Sequence, residues 1–209
     1  MFGWRLFCCA GTEFFEREPI TWKFTGERRS AMGFFDKVFG GKGGGPDSKS
    51  AELTKGWKTH ENVAVGFLFS CPPAWTIGET DQGLELYPSD ALRVMDPVLS
   101  REVADARVIV LTGDVADPSQ NILKDFIRQR SGEYKGYKFV KHHSNTIPKA
   151  VHGVIYEFQY GPQDQPFHAL SAVAQTKNRF VEVTAFGTAE GYERNRSELE
   201  AIVLSFRVS

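Results

Sequence analysis

Cysteine is scarce in this chain, and its three copies build no disulfide framework. Neighbouring Cys8 and Cys9 cannot readily close on each other, and Cys71 stands alone, so a reducing, cytoplasmic setting is expected. Long apolar runs are missing as well. None approaches the ~18 residues that a membrane span needs, which predicts a soluble chain without a transmembrane segment. Neither sign of charge is in excess: 25 Lys and Arg against 26 Asp and Glu give a formal net charge of −1. That balance offers no global field for nucleic acid or an anionic membrane, and no nucleic-acid partner is expected. Several catalytic signatures are absent too. There is no Gly-x-Ser-x-Gly elbow, no His-Glu-x-x-His and no Cys-x-x-Cys. The glycines at 40–45 do not lead into the Gly-Lys-Ser/Thr of a P-loop. No cofactor is expected.

What is present divides into three stretches. Residues 1–31 lack the unbroken apolar core of a signal peptide, and Glu13, Glu16 and Glu18 argue against a transit peptide. Met32 then opens MGFFDKVFGGKGGG, which looks like a natural protein start. Phe34, Phe35 and Phe39 share one helical face that can dock on a partner's groove or on a membrane surface, or pack back on the domain. Gly33 after Met32 has the form of a myristoylation site, but Lys37 stands where Ser or Thr is needed. A Gly/Ser linker completes 32–51, and the folded domain spans 52–209.

Within that domain, ENVAVGFLFSC reads as a strand stopped by Pro72 and Pro73, with Trp75 starting the next. GLELYP and ARVIVLTGD are strands, the second a buried one, apolar nearly throughout. The stretch between them, residues 89–105, suits a helical turn or an inserted loop. DPSQNILKDFIRQRSG predicts a helix with Asp117 as N-cap, Pro118 at its first position and Gly132 past its end. Ile122, Leu123, Phe126 and Ile127 make its buried stripe, and Lys124, Asp125, Arg128 and Arg130 face water. YKFVKHH is a strand. VHGVIYEFQY, FHALSAVAQ and RFVEVTAFG follow as an antiparallel meander, and one amphipathic helix over TAEGYERNRSELEAIVLSF closes the chain. Tyr192, Leu199, Ile202, Val203 and Phe206 form its apolar stripe.

Alternation in the meander sorts its side chains by face. Tyr156, Phe158 and Tyr160 point one way, and Glu157 and Gln159 the other. Glu182 and Thr184 oppose Val181, Val183 and Ala185. Glu157, Gln159, Glu182 and Thr184 together suggest a polar sheet face, either solvated or serving as a shallow cleft for a peptide or small ligand. Among the histidines, His142, His143 and His168 are the candidates for a transition metal. Side chains of adjacent His142 and His143 point to opposite faces, so they cannot chelate jointly. Lys124, Arg128, Arg130, Lys135, Lys138 and Lys141, interleaved with Tyr134, Tyr137 and Phe139, suit either a solvated face or single-stranded nucleic acid.

The order of elements, together with GFLFSCPPAW, ARVIVLTGD and the closing LEAIVLSFRVS with its Ser205–Phe206 pair, resembles the PsbP-like family, which includes the Ran-binding factor Mog and the bacterial DcrB-like proteins. The resemblance covers roughly residues 57–209. It implies an α+β fold, a central antiparallel β-sheet flanked by α-helices, and accessory work: stabilising an assembly, chaperoning an effector or binding a small GTPase. The expectation is therefore a non-enzymatic accessory, adaptor or chaperone-type domain that binds a protein partner. The competing expectation is a small-molecule or metal-binding enzyme that uses Glu157, Glu182 and nearby histidines on the polar face.

Overall fold

The computed structural model describes residues 54–80, 83–117 and 119–209, and Phe34, Phe35, Phe39 and Pro118 lie outside them. It opens with a hairpin, β1 (Lys58–Asn62) and β2 (Phe67–Cys71). One continuous strand is expected over this stretch, yet the chain turns back between them. The Asn62 side chain accepts a hydrogen bond from Val65 N at 3.0 Å, and Gly66 takes the left-handed conformation at φ 82°. A glycine adopts that backbone without the Cβ clash that other residues meet. β3 (Trp75–Thr80) and β4 (Gly83–Pro88) follow as a second hairpin.

Residues 89–105 are neither loop nor helical turn but a third hairpin, β5 (Arg93–Asp96) and β6 (Arg101–Ala104). β7 (Ala106–Asp114) is the long strand that its sequence predicts, buried over its first half and opening to solvent towards Asp114. The helix α1 covers Leu123–Glu133, so it starts five residues later than its sequence suggests. Asp117 instead closes a local turn on Ser119 and Gln120. The first free N–H groups of α1 are met by the Asn121 side chain and, from a distant strand, by Gln175 Oε1. Gly132 falls inside the last turn rather than beyond it.

β8 (Lys138–His143), β9 (His152–Tyr160), β10 (Phe167–Gln175) and β11 (Arg179–Thr188) form the expected meander. The closing helix is two, α2 (Ala189–Arg194) and α3 (Arg196–Ser205), broken at Asn195. The two-residue strand β12 (Arg207–Val208) then pairs with β2.

Seven strands make one antiparallel sheet in the order β3-β4-β7-β11-β10-β9-β8, and β1-β2-β12 make a smaller one. The architecture is α+β, with packed layers on both faces of the central sheet. One face meets α3 and the small sheet: Val108, Val110, Leu170, Val181 and Val183 pack with Phe67, Phe69, Leu199, Ile202 and Phe206. The other face meets α1: Tyr156, Phe158, Tyr160, Phe180 and Phe186 pack with Ile122, Leu123, Phe126 and Ile127. These buried apolar side chains each contribute about 1.5–3 kcal/mol by leaving water. No helix among the described residues is long and apolar enough to cross a membrane.

Candidate functional site

Helix α1 is too short for the sheet it packs on. Eleven residues at ~1.5 Å each span about 16 Å, whereas seven strands at ~4.8 Å cover about twice that width. The helix lies over β9 and β10, and its aromatic underlay continues onto β11 through Phe180 and Phe186. No helix among the described residues lies over the β7, β4 and β3 side of the same face. There a cleft of about 480 Å³ opens, within the ~300–1,000 Å³ typical of ligand sites.

Register decides what the cleft floor offers. Glu182 pairs with Leu111, Thr184 with Ile109, and Phe186 with Arg107 across β11 and β7. Ile109 in turn faces Glu85 on β4. All of these point to the α1 side and line the cleft. The β5–β6 hairpin supplies one wall with Asp96, Leu99 and Arg101, and the C-terminal end of α1 another with Arg130 and Tyr134.

Two buried ion pairs hold these walls in place. Arg107, 1 % exposed, donates to Asp96 Oδ2 at 2.6 Å and lies over the Phe186 ring at 5.4 Å. Asp96 also accepts from Tyr160 Oη at 3.1 Å and from the backbone N–H groups of Val98 and Leu99. Burial pushes the Asp96 carboxyl up, but the Leu99 N–H, the Arg107 guanidinium and the Val98 N–H outweigh it and hold it below the usual carboxylate value. The hairpin is thereby tied to the sheet through one aspartate.

The second pair joins helix to sheet. Arg130 donates to Glu182 at 2.5 Å and to Glu133 at 2.9 Å. Glu182 accepts in addition from Thr184 Oγ1 at 3.0 Å and from Ser171 Oγ at 3.4 Å. Burial pulls the Arg130 guanidinium down, yet Glu182, Tyr134 and Glu133 push it further up, so it stays charged. Arg130 is thus not on the water face of α1, where periodicity places it. It is the polar member of the buried face, and its partner lies 52 residues away.

Glu157 and Gln159 do not share this face with Glu182 and Thr184. Leu170 on β10 stands opposite both Glu157 and Ala185, whereas Ser171 stands opposite both Tyr156 and Thr184. Glu157 and Gln159 therefore lie on the α3 side of the sheet, and the expected four-residue polar face is two separate groups. An enzyme site built jointly from Glu157 and Glu182 would have to reach through the sheet.

Around Glu157, His143 Nε2 approaches at 2.7 Å and Lys141 Nζ at 3.1 Å. His168 is 3.4 Å from Gln159 and packs against the Tyr192 ring. His142 pairs with Tyr156 across β8 and β9. No three His, Cys, Asp or Glu side chains among the described residues converge as a metal site would require. The aromatics of the basic stretch are taken up by the core, with Tyr134 against Tyr160 at 4.8 Å and Tyr137 against Phe158 at 5.2 Å. Cys71 is buried, and burial followed by the charge of Glu198 pushes its thiol up to about 12; at neutral pH it is an inert, packed group.

No protein-family model and no curated protein matches the chain. Among solved structures, the cyanobacterial PsbP protein CyanoP from Synechocystis sp. PCC 6803 aligns over 73% of this chain and 92% of its own, with a TM-score of 0.47 and 10% identity. LpqN, involved in cell envelope biogenesis of Mycobacterium tuberculosis, aligns over 74% and 86%, with a TM-score of 0.48 and 8% identity. The fold is similar to that of the PsbP-like proteins. At these identities the likeness concerns the fold alone. Glu85, Asp96 and Arg107 carry no site signal in the sequence, and Arg130 stands there only as one member of a basic stretch. Three of them sit on elements that read as structural, and Asp96 belongs to a stretch with no clear periodicity.

Proposed function

We propose that the chain is a non-enzymatic accessory or adaptor domain that binds a segment of a protein partner in the cleft beside α1. The observation that carries this reading is the half of this sheet face that no described helix covers, framed on two sides by ion pairs closed within the protein. Acid–base catalysis needs a group free to exchange protons near neutral pH. In the cleft, Asp96 is held ionised by Arg107 and two backbone N–H groups, and Glu182 is tied to Arg130. Glu85, the remaining carboxylate of the lining, stands 3.6 Å from Arg107 Nε, and no histidine or cysteine among the described residues lines the space. Such a frame is rigid and suits recognition. Its rim adds apolar surface, since Leu99 on the β5–β6 hairpin lines the cleft and is 43 % exposed. Exposed side chains of this kind beside a cleft favour a macromolecular ligand over a fully enclosed small one.

A photo-crosslinking amino acid, p-benzoylphenylalanine, placed at Leu99 in the full-length chain tests this in the source cell. Val63, exposed in the β1–β2 turn, is the control position. A discrete crosslinked protein from position 99 and not from 63 is the expected result. The same products from both positions, or none from 99, would remove the cleft from the function.

A further inference from the structure

We infer that β3 is a homodimer interface, where two copies of the chain pair their β3 strands antiparallel about a two-fold axis at Gly78 and join their central sheets into one. The inference comes from comparing the two ends of the sheet, β8 on one side and β3 on the other. An open sheet edge offers a row of backbone donors and acceptors to any passing strand, and proteins blunt it with lysines, proline or a bulge. β8 is blunted in this way. It carries Lys138 and Lys141, and its register with β9 shifts between Phe139 and Lys141. β3, WTIGET, has no lysine, arginine or proline before its end at Thr80, and its register with β4 is unbroken from Trp75 to Thr80. Thr76, Ile77 and Glu79 on it are exposed, and among the described strands β4 alone pairs with it.

The backbone pattern sets the geometry of the pairing. Trp75 N donates to Pro72 O at 3.1 Å, and Pro88 opposite it has no N–H to give, so these two are not a hydrogen-bonded pair. Bonded and non-bonded pairs alternate along an antiparallel ladder. Ile77 and Glu79 therefore turn their N–H and C=O groups away from β4. An axis at Gly78 sets Ile77 of one copy opposite Glu79 of the other, and all of these groups close on one another. An axis at Ile77 would instead need the Trp75 N–H, which Pro72 already holds. Gly78 points the same way. Its φ lies outside the left-handed region, and a Cβ there would meet nothing nearer than Glu85 O at 4.0 Å, so the single chain has room for a side chain. Glycine inside a strand often marks the close approach of another backbone. At the axis Gly78 meets its own copy at the short Cα separation, about 4.5 Å, of a non-hydrogen-bonded pair. On the cleft side Thr76 falls opposite Thr80 of the second copy, a favourable cross-strand pair. The axis stands normal to the sheet, so both clefts open on the same side.

Sedimentation velocity of the full-length chain tests the pairing. The average mass is expected to climb from monomer towards dimer between roughly 10 µM and 1 mM, the range of a small contact made largely by backbone. The two Glu79 side chains stand diagonally about 7–8 Å apart across the axis, so association tightens as salt screens them, and Glu79→Gln tightens it at low salt. Glu79→Pro removes only an outward N–H and abolishes the dimer with the circular dichroism unchanged, whereas Val140→Lys on β8 leaves it intact. Gly78→Cys gives a disulfide-linked dimer under mild oxidation, mapped to position 78 by mass spectrometry, because the facing Cα atoms lie within disulfide reach. Ile77→Cys, whose copies lie diagonally beyond that reach, crosslinks at least about tenfold less. A chain that stays monomeric throughout, whether its β3 edge is open or covered by another segment of itself, would overturn the inference. A dimer that survives Glu79→Pro, or that crosslinks equally from positions 77 and 78, would do the same.

Discussion

Removing Glu182 and Arg130 separately and together separates a buried ion pair from a surface arginine that happens to lie near an acid. Periodicity puts Arg130 in water, and there Arg130→Met would change stability by less than about 0.5 kcal/mol. The structure puts it 7 % exposed, bonded to a glutamate that is 2 % exposed. Breaking a buried pair by deleting one partner costs about 3–5 kcal/mol, because the other charge is left in a poor solvent. The two single variants differ in what remains. In Glu182→Leu, Arg130 keeps Glu133, which is partly exposed, so a loss near the lower end, about 3 kcal/mol, is expected. In Arg130→Met, Glu182 keeps, among the described residues, the Ser171 and Thr184 hydroxyls, and about 4 kcal/mol is expected. The double variant replaces both charges with apolar groups of similar size and should cost no more than about 1–2 kcal/mol. Urea unfolding followed by circular dichroism reads these values directly. At a slope of roughly 2 kcal/mol per molar, a loss of 3 kcal/mol moves the midpoint by about 1.5 M. A double variant as damaged as the sum of the singles, or an Arg130→Met protein as stable as the parent, would refute the reasoning.

Other tests address separate parts of the molecule. Asp96 has a folded pKa below its ordinary value of ~3.9. Its contribution is therefore complete above about pH 4 and lost as pH falls through the folded value. Asp96→Asn should be less stable at pH 7 by roughly 2–3 kcal/mol, with the gap to the parent closing in urea midpoints as pH falls below about 4; a gap constant with pH would contradict this. Gly191→Ala opposes two effects. Helix propensity favours alanine by about 1 kcal/mol, but the added Cβ would stand 2.3 Å from the Asp105 carbonyl oxygen. The clash should win, lowering the melting temperature, and a rise would show that the contact relaxes freely. Cys71, buried with its thiol raised to about 12, should resist iodoacetamide at pH 8 in the native protein and react once urea unfolds it, as read by peptide mass mapping. Prompt native labelling at Cys71 would disprove its burial.

Much of this fold is legible in the chain because its central strands are apolar runs or alternating stretches bounded by turn residues. β7, β9, β10 and β11 fall where ARVIVLTGD, VHGVIYEFQY, FHALSAVAQ and RFVEVTAFG place them, and the stripe of Leu199, Ile202, Val203 and Phe206 is buried as spaced. Alternation within a strand separates Tyr156 from Glu157, but it says nothing about which face of the next strand is level with which. That depends on register, and the pairing of Leu170 with both Glu157 and Ala185 places Glu157 and Glu182 on opposite sides. The start of α1 was unreadable for a similar reason. Asp117 is a good N-cap residue by type, yet the donor at Ile122 is met by Gln175, 53 residues further on. The site itself was the least legible part. Arginines 107 and 130 look like an interruption in a strand and a polar position on a helix until Asp96 and Glu182 are brought against them.

The pairing of β12 with β2 has a consequence for how the chain is made. Ser70 N donates to Ser205 Oγ at 2.8 Å across 135 residues of sequence, and Ser209 N reaches Gly66 O at 3.0 Å. On the ribosome, the β1–β2 hairpin emerges early and waits for α3 and β12. A lone two-stranded hairpin is marginal in water, and the cluster that buries Phe67 and Phe69 is complete once Leu199, Ile202 and Phe206 arrive. Contacts this distant in sequence form slowly. A polypeptide halted before Arg196 would thus hold a finished-looking central meander and an aromatic ribbon with nothing to cover it. That species should be the sticky one, a client of holdase chaperones during synthesis even if the completed domain never is.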